Sequence, residues 1–140
     1  MKKWILTLFG TIIFNMMGCT SYRNPEAKRK AIDTAQVWLE LVDNEKYKES
    51  WEEAAEYFKS AISKEKWQET IGAVRKPLGK NISRKLKSQR YTTSLPGVPD
   101  GEYVVIQYKT SFENKKLVIE TITPMLDKDN SWRVSGYYIK

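Results

Sequence analysis

The sequence predicts an α+β domain: three N-terminal helices followed by a mostly antiparallel sheet of four strands. Two observations carry this. Apolar residues recur at helical spacing as far as Leu78, whereas from Asn81 onward β-branched and aromatic runs alternate with turn residues. Helices followed by consecutive strands argue segregated layers rather than alternating βαβ units. A length of 140 residues fits one domain, and 41% hydrophobic with 29% charged residues is the balance of a globular chain.

The first helix starts at Asn24-Pro25, with Asn as N-cap and Pro at the first helical position, where its missing N–H costs nothing. Ala31, Ala35, Trp38 and Val42, with Ile32 and Leu39, form its apolar stripe until Asp43-Asn44 interrupts. Tyr47, Trp51, Ala54, Ala55, Phe58 and Ile62 predict a second helix with a Glu- and Lys-rich outer face. Ser63 caps a third, in which Trp67, Ile71, Val74 and Leu78 step inward until Pro77 and Gly79 end it.

Ser83 to Thr93 reads as an edge strand guarded by Lys85, Lys87 and Arg90. The Pro- and Gly-dense segment 94–101 is a loop, either a connector or a contact loop. Strands follow at 103–112, 117–126 and 132–139, joined by turns at Glu113–Lys115 and Lys128–Asn130. With three-residue turns, Phe112 faces Lys116 and Asp127 faces Ser131. One sheet face then carries Val104, Ile106, Tyr108, Val118, Ile122, Leu126, Trp132, Val134 and Tyr138, with Glu120 opposite Tyr108 and near Tyr138. The other holds Val105, Leu117, Ile119, Met125, Tyr137 and Ile139 among polar residues. It is apolar enough to suggest a cover, such as a second copy in a homodimer.

Residues 1–18 read as a signal peptide rather than as part of the fold. Lys2 and Lys3 precede an apolar run shorter than the ~20 residues of a spanning helix. Met16-Met17-Gly18-Cys19 resembles a bacterial lipobox, with Met16 where Leu is usual; the resemblance implies cleavage before Cys19 and a lipid on its sulfur. Residues 19–24 are then a tether and 25–140 the single domain. Thr20 in place of Asp implies the periplasmic face of the outer membrane in a Gram-negative cell.

Composition closes several chemistries. With no His, Ser-His-Asp and Cys-His catalysis and His-ligated metals are excluded; with one Cys, so are intrachain disulfides and cysteine metal clusters. No cofactor and no metal is expected. The formal charge is +7, about +5 once Lys2 and Lys3 leave with the leader. That excess suits an anionic envelope component; export argues against nucleic acid as partner.

Trp38-Leu39, Trp67, the run 75–79 (Arg-Lys-Pro-Leu-Gly), Leu95-Pro96-Gly97, Glu120-Thr121 and the run 132–138 (Trp-Arg-Val-Ser-Gly-Tyr-Tyr) are similar to a bacterial family of exported proteins, the domain of unknown function 4019. The resemblance implies helices on a curved sheet like the cystatin-like cone of the nuclear-transport-factor-two superfamily. That superfamily holds enzymes and binding modules alike, so it implies no activity.

The candidate site centres on Glu120, because an inward-facing carboxylate must be hydrogen-bonded, paired or beside water. With Tyr108 and Tyr138 it can line a ligand pocket or act as a base; alternatively it pairs with Arg75 or Arg84 and pins the helices to the sheet. Trp38, Trp51, Trp67 and Trp132 suit core packing better than an aromatic cage. Asp127–Asn130 lacks most of a calcium loop and reads as a turn. The basic stretch Lys76, Lys80, Arg84, Lys85, Lys87 and Arg90 is either a solvated edge or a contact for lipid phosphates and other anions. These features favour a non-enzymatic, lipid-anchored module that binds a ligand or partner. The alternatives are a small hydrolase or isomerase using Glu120 with tyrosine hydroxyls, and a structural dimer.

Overall fold

A computed structural model describes residues 24–140; the expected leader, Cys19 and the expected tether up to Arg23 lie outside the described residues. Helix α1 (Pro25–Asp43) starts as its sequence dictates, with the Asn24 side chain accepting the Ala27 N–H at 3.1 Å. Ala27, Ala31, Ala35, Trp38, Leu39 and Val42 bury its inner stripe.

The predicted second helix is two. Helices α2 (Tyr47–Glu52) and α3 (Glu56–Ala61) are separated by a break at residues 53–55, so four helices precede the sheet. The sheet itself causes the break. Ala54 and Ala55 are fully buried, the Ala55 N–H donates to the Val134 carbonyl at 2.9 Å, and the Glu56 N–H donates to Asp127 Oδ2 at 3.1 Å. A continuous helix would have sent both N–H groups to carbonyls four residues back. Helix α4 (Lys64–Leu78) is capped by the Ser63 hydroxyl, which accepts the Lys66 N–H at 3.1 Å. Its inner row is Trp67, Ile71 and Arg75, four residues apart, while Val74 turns out to 44% exposure.

Strands β1 (Asn81–Thr92), β2 (Tyr103–Phe112), β3 (Lys115–Leu126) and β4 (Trp132–Ile139) form an antiparallel meander in sequence order. The β2–β3 connection is Glu113-Asn114, one residue tighter than predicted, because Phe112 pairs with Lys115. It docks on the end of α4, where the Asn114 N–H donates to Leu78 O and its side-chain amide to Pro77 O, both at 3.0 Å. The approach needs Gly79, whose φ is +75° and whose Cβ would meet Glu113 Cβ at 3.0 Å.

A β-bulge decides which face the end of β4 presents. Pro124 pairs with Val134 as the predicted register requires, but Thr123 pairs with Gly136, leaving Ser135 extra. The extra residue turns its hydroxyl to the Thr123 carbonyl and satisfies it at 2.7 Å. A one-residue slip exchanges faces. Tyr137 and Ile139 therefore join the helix-covered face, and Tyr138 and Lys140 the outer one, the reverse of the predicted order.

The core lies between the helices and the inner face, with Tyr91, Val104, Ile106, Tyr108, Ile122 and Val134 against the stripes of α1 and α4. Trp38 and Trp67 belong to it, 5.8 Å apart, and Trp51 and Trp132 pack at its margin. Both indole N–H groups of the central pair end on Ser50, wholly buried: Trp38 donates to its carbonyl at 2.8 Å and Trp67 to its hydroxyl at 2.9 Å. Packing is thus the role of these four tryptophans.

Candidate functional site

Glu120 sits mid-way along β3 with no exposed surface, directly opposite Tyr108. Burying a carboxylate there is tolerable only if its oxygens are satisfied. Arg84 on β1 supplies the charge. Its Nε donates to Oε1 at 2.7 Å and its Nη2 to Oε2 at 3.2 Å, a bidentate grip. The Thr110 hydroxyl donates to Oε1 and the Tyr137 hydroxyl to Oε2. Four donors fill the roughly four acceptor positions of a carboxylate.

The other edge of the Arg84 guanidinium grips Asp43, with Nη1 to Oδ2 at 2.8 Å and Nη2 to Oδ1 at 3.0 Å. Arg75 then donates from Nη2 to Asp43 Oδ1 at 2.6 Å. Charges alternate along Arg75–Asp43–Arg84–Glu120, and the four side chains come from α4, α1, β1 and β3. Asp43 is the last residue of α1, where the helix dipole disfavours an anion, so the two guanidiniums are what make it acceptable.

The titration shifts follow from this order. Burial pushes the Asp43 carboxyl up, but hydrogen bonds and charge from Arg84 and Arg75 outweigh it and hold the group below its ordinary 3.8. Burial opposes the Arg84 charge, yet Asp43 and Glu120 raise its value further. Tyr137 is pushed well above 10 by burial and the Glu120 charge beside it, which keeps its hydroxyl a donor. Burial also raises Tyr108, with smaller opposing effects from Arg84 and Glu120.

Of the sequence-predicted set, Glu120 and Arg84 meet directly. Arg75 reaches the cluster through Asp43 rather than through Glu120. Tyr108 faces Glu120, but its hydroxyl is buried without a partner. Tyr138 is not at the site; it is 52% exposed on the outer face, and Tyr137 takes the place predicted for it. Asp43 and Tyr137 were not foreseen as members. Asp43 had a signal, a carboxylate at a helix end, and Tyr137 had one in Gly136, since a glycine inside a strand often marks a bulge.

Arg75 is 5% exposed, lies 4.7 Å over the Phe112 ring, and leaves Nε and Nη1 without partners. A cleft of about 410 Å³ lined by Asp43, Tyr47, Arg75, Lys76, Lys80 and Glu113 reaches this end of the cluster and does not touch Glu120. Of the basic stretch, Arg84 turns inward and the other five stay exposed. Asp127–Asn130 is a turn. The Asp127 N–H donates to Ser131 O at 2.8 Å, and the Asp127 carboxylate takes the Glu56 and Lys128 N–H groups and Arg133. In the loop between β1 and β2, Tyr103 donates to Pro99 O and Gly101 N–H to Thr93 O, which fit a connector.

The family model for DUF4019, proteins of unknown function, matches residues 34–137. The chain belongs to this family. The matched span of this DUF4019 domain contains the whole alternating cluster, from Asp43 to Tyr137. A search of curated proteins finds no match.

Chemically, the Glu120 end of the cluster is closed. A general base must keep an oxygen free for the incoming proton, and both oxygens of Glu120 already accept two hydrogen bonds each. The arrangement suits a clamp that fixes two helices to two strands.

Proposed function

We propose that the chain is a non-enzymatic lipoprotein of the bacterial cell envelope, held by a lipid on Cys19 and acting as a rigid binding module. One observation supports the non-enzymatic part above all: the buried carboxylate is saturated by Arg84, Thr110 and Tyr137, so it holds the fold instead of meeting a substrate. A clamped core leaves recognition to the surface. The anchor rests on the order of two lysines, an apolar run and Gly18-Cys19. Metabolic labelling with a palmitate analogue in the native host tests it. Wild type is expected to take label and Cys19→Ser to lose it; equal labelling of both removes the anchor from this reading.

A further inference from the structure

The outer face of the sheet differs from the apolar patch that the sequence predicts. The bulge in β4 removes Tyr137 and Ile139 from it and brings in Tyr138 and Lys140. Reading straight across the strands, Lys85 on β1 pairs with Lys109 on β2, and Lys109 pairs with Ile119 on β3. Ile119 in turn exchanges both backbone hydrogen bonds with Lys140 at 2.9 Å. Three lysines therefore stand in one row, two of them directly opposite each other. Like charges in that position repel, and among the described residues none of the three is in an ion pair. Beside the row, Leu117 is 71% and Tyr138 52% exposed.

We infer that this face docks on an anionic phospholipid surface. Lysine stems with apolar tips between them, and a tyrosine whose ring is apolar and whose hydroxyl is wet, match the headgroup boundary of a bilayer. A second copy fits worse, because pairing two such faces would stack uncompensated lysines. A soluble polyanion would satisfy the lysines and give Leu117 and Tyr138 nothing to bury against.

The position of the row adds to this, resting here on the lipid-anchor reading. Asn24 lies beside Glu102, Leu126 and Trp132, at one end of the strands. Lys109 lies seven residues further along β2 from Glu102, a span of about 23 Å. Cys19 is five residues before Asn24 and reaches roughly 18 Å at most. Anchor and lysine row thus engage the bilayer near opposite ends of the sheet, and two such attachments lay it flat.

The test reads lysine accessibility in the full chain, reconstituted in phosphatidylcholine vesicles with or without phosphatidylglycerol and treated with a water-soluble acetylating reagent. Each lysine held at an anionic surface is favoured by roughly fivefold. Labelling of Lys85, Lys109 and Lys140 is therefore expected to slow by about that factor or more in phosphatidylglycerol vesicles only. Lys48, exposed on α2, should label equally in both. Equal labelling of the three in both vesicle types overturns the proposal, as does equal protection by inorganic polyphosphate without vesicles, which would assign the row to a polyanion. Protection that persists when palmitate labelling fails keeps the face and removes the anchor; the converse keeps the anchor and removes the face.

Discussion

Arg84→Met tests the clamp most directly. The side chain is 16% exposed, and Met retains much of its volume while removing four N–H contacts to two carboxylates. The two carboxylates suffer unequally. Asp43 is 21% exposed and keeps Arg75 and water, whereas Glu120 has no exposure and keeps only the Thr110 and Tyr137 hydroxyls. Summing four charge-assisted bonds at about 1.5–3 kcal/mol each would exceed what most domains possess. The governing quantity is the cost of one uncompensated buried charge, about 3–5 kcal/mol. Glu120→Met leaves Arg84 with Asp43 and so costs less. The double variant replaces the pair with apolar groups and should lie well below the sum of the singles, with a coupling of about 2–3 kcal/mol. Urea unfolding of the four proteins, followed by tryptophan fluorescence, measures the cycle. Singles that add to within about 0.5 kcal/mol, or an Arg84→Met cost under about 1 kcal/mol, would refute the clamp.

Two further outcomes follow from the same geometry. Tyr137→Phe should cost about 1–3 kcal/mol, because it removes a donor from a buried carboxylate, while Tyr138→Phe should cost almost nothing; paired thermal melts that rank them the other way would contradict the bulge. Asp43 titrates below its ordinary 3.8 when folded, so the unfolded chain takes the proton first on acidification. Its contribution is therefore complete above the ordinary value and is lost as pH falls through the lowered folded one. Urea midpoints between about pH 5 and pH 2 should fall more steeply for the parent than for Asp43→Asn, and parallel slopes would exclude the assignment.

Much of the fold was legible because its signals are local. The Asn24 and Ser63 caps, the alternation in β2, and the pairing of Tyr108 with Glu120 all follow from neighbours in sequence. What escaped depends on partners far along the chain. The break between α2 and α3 is set by Val134 and Asp127, and the partner of Arg75 is Asp43 rather than Glu120. The site was half legible. A carboxylate on the inner face demanded a cation, and Arg84 proved to be it. The choice between Tyr137 and Tyr138 hung on one extra residue, Ser135, which shifts every later residue of β4 by one.

The contact between Asp127 and α3 also bears on the order in which the chain assembles. The α3 segment spans six residues, has no cap of its own, and donates its N-terminal N–H to a carboxylate 71 positions downstream. A helix that short does not persist alone in water. It exists only after the turn between the last two strands has closed, so the helical layer is completed by the sheet it covers. A chain emerging N-terminus first therefore holds residues 53–61 without their final conformation until β4 is available. That closure spans most of the domain, and distant pairings of this kind slow folding.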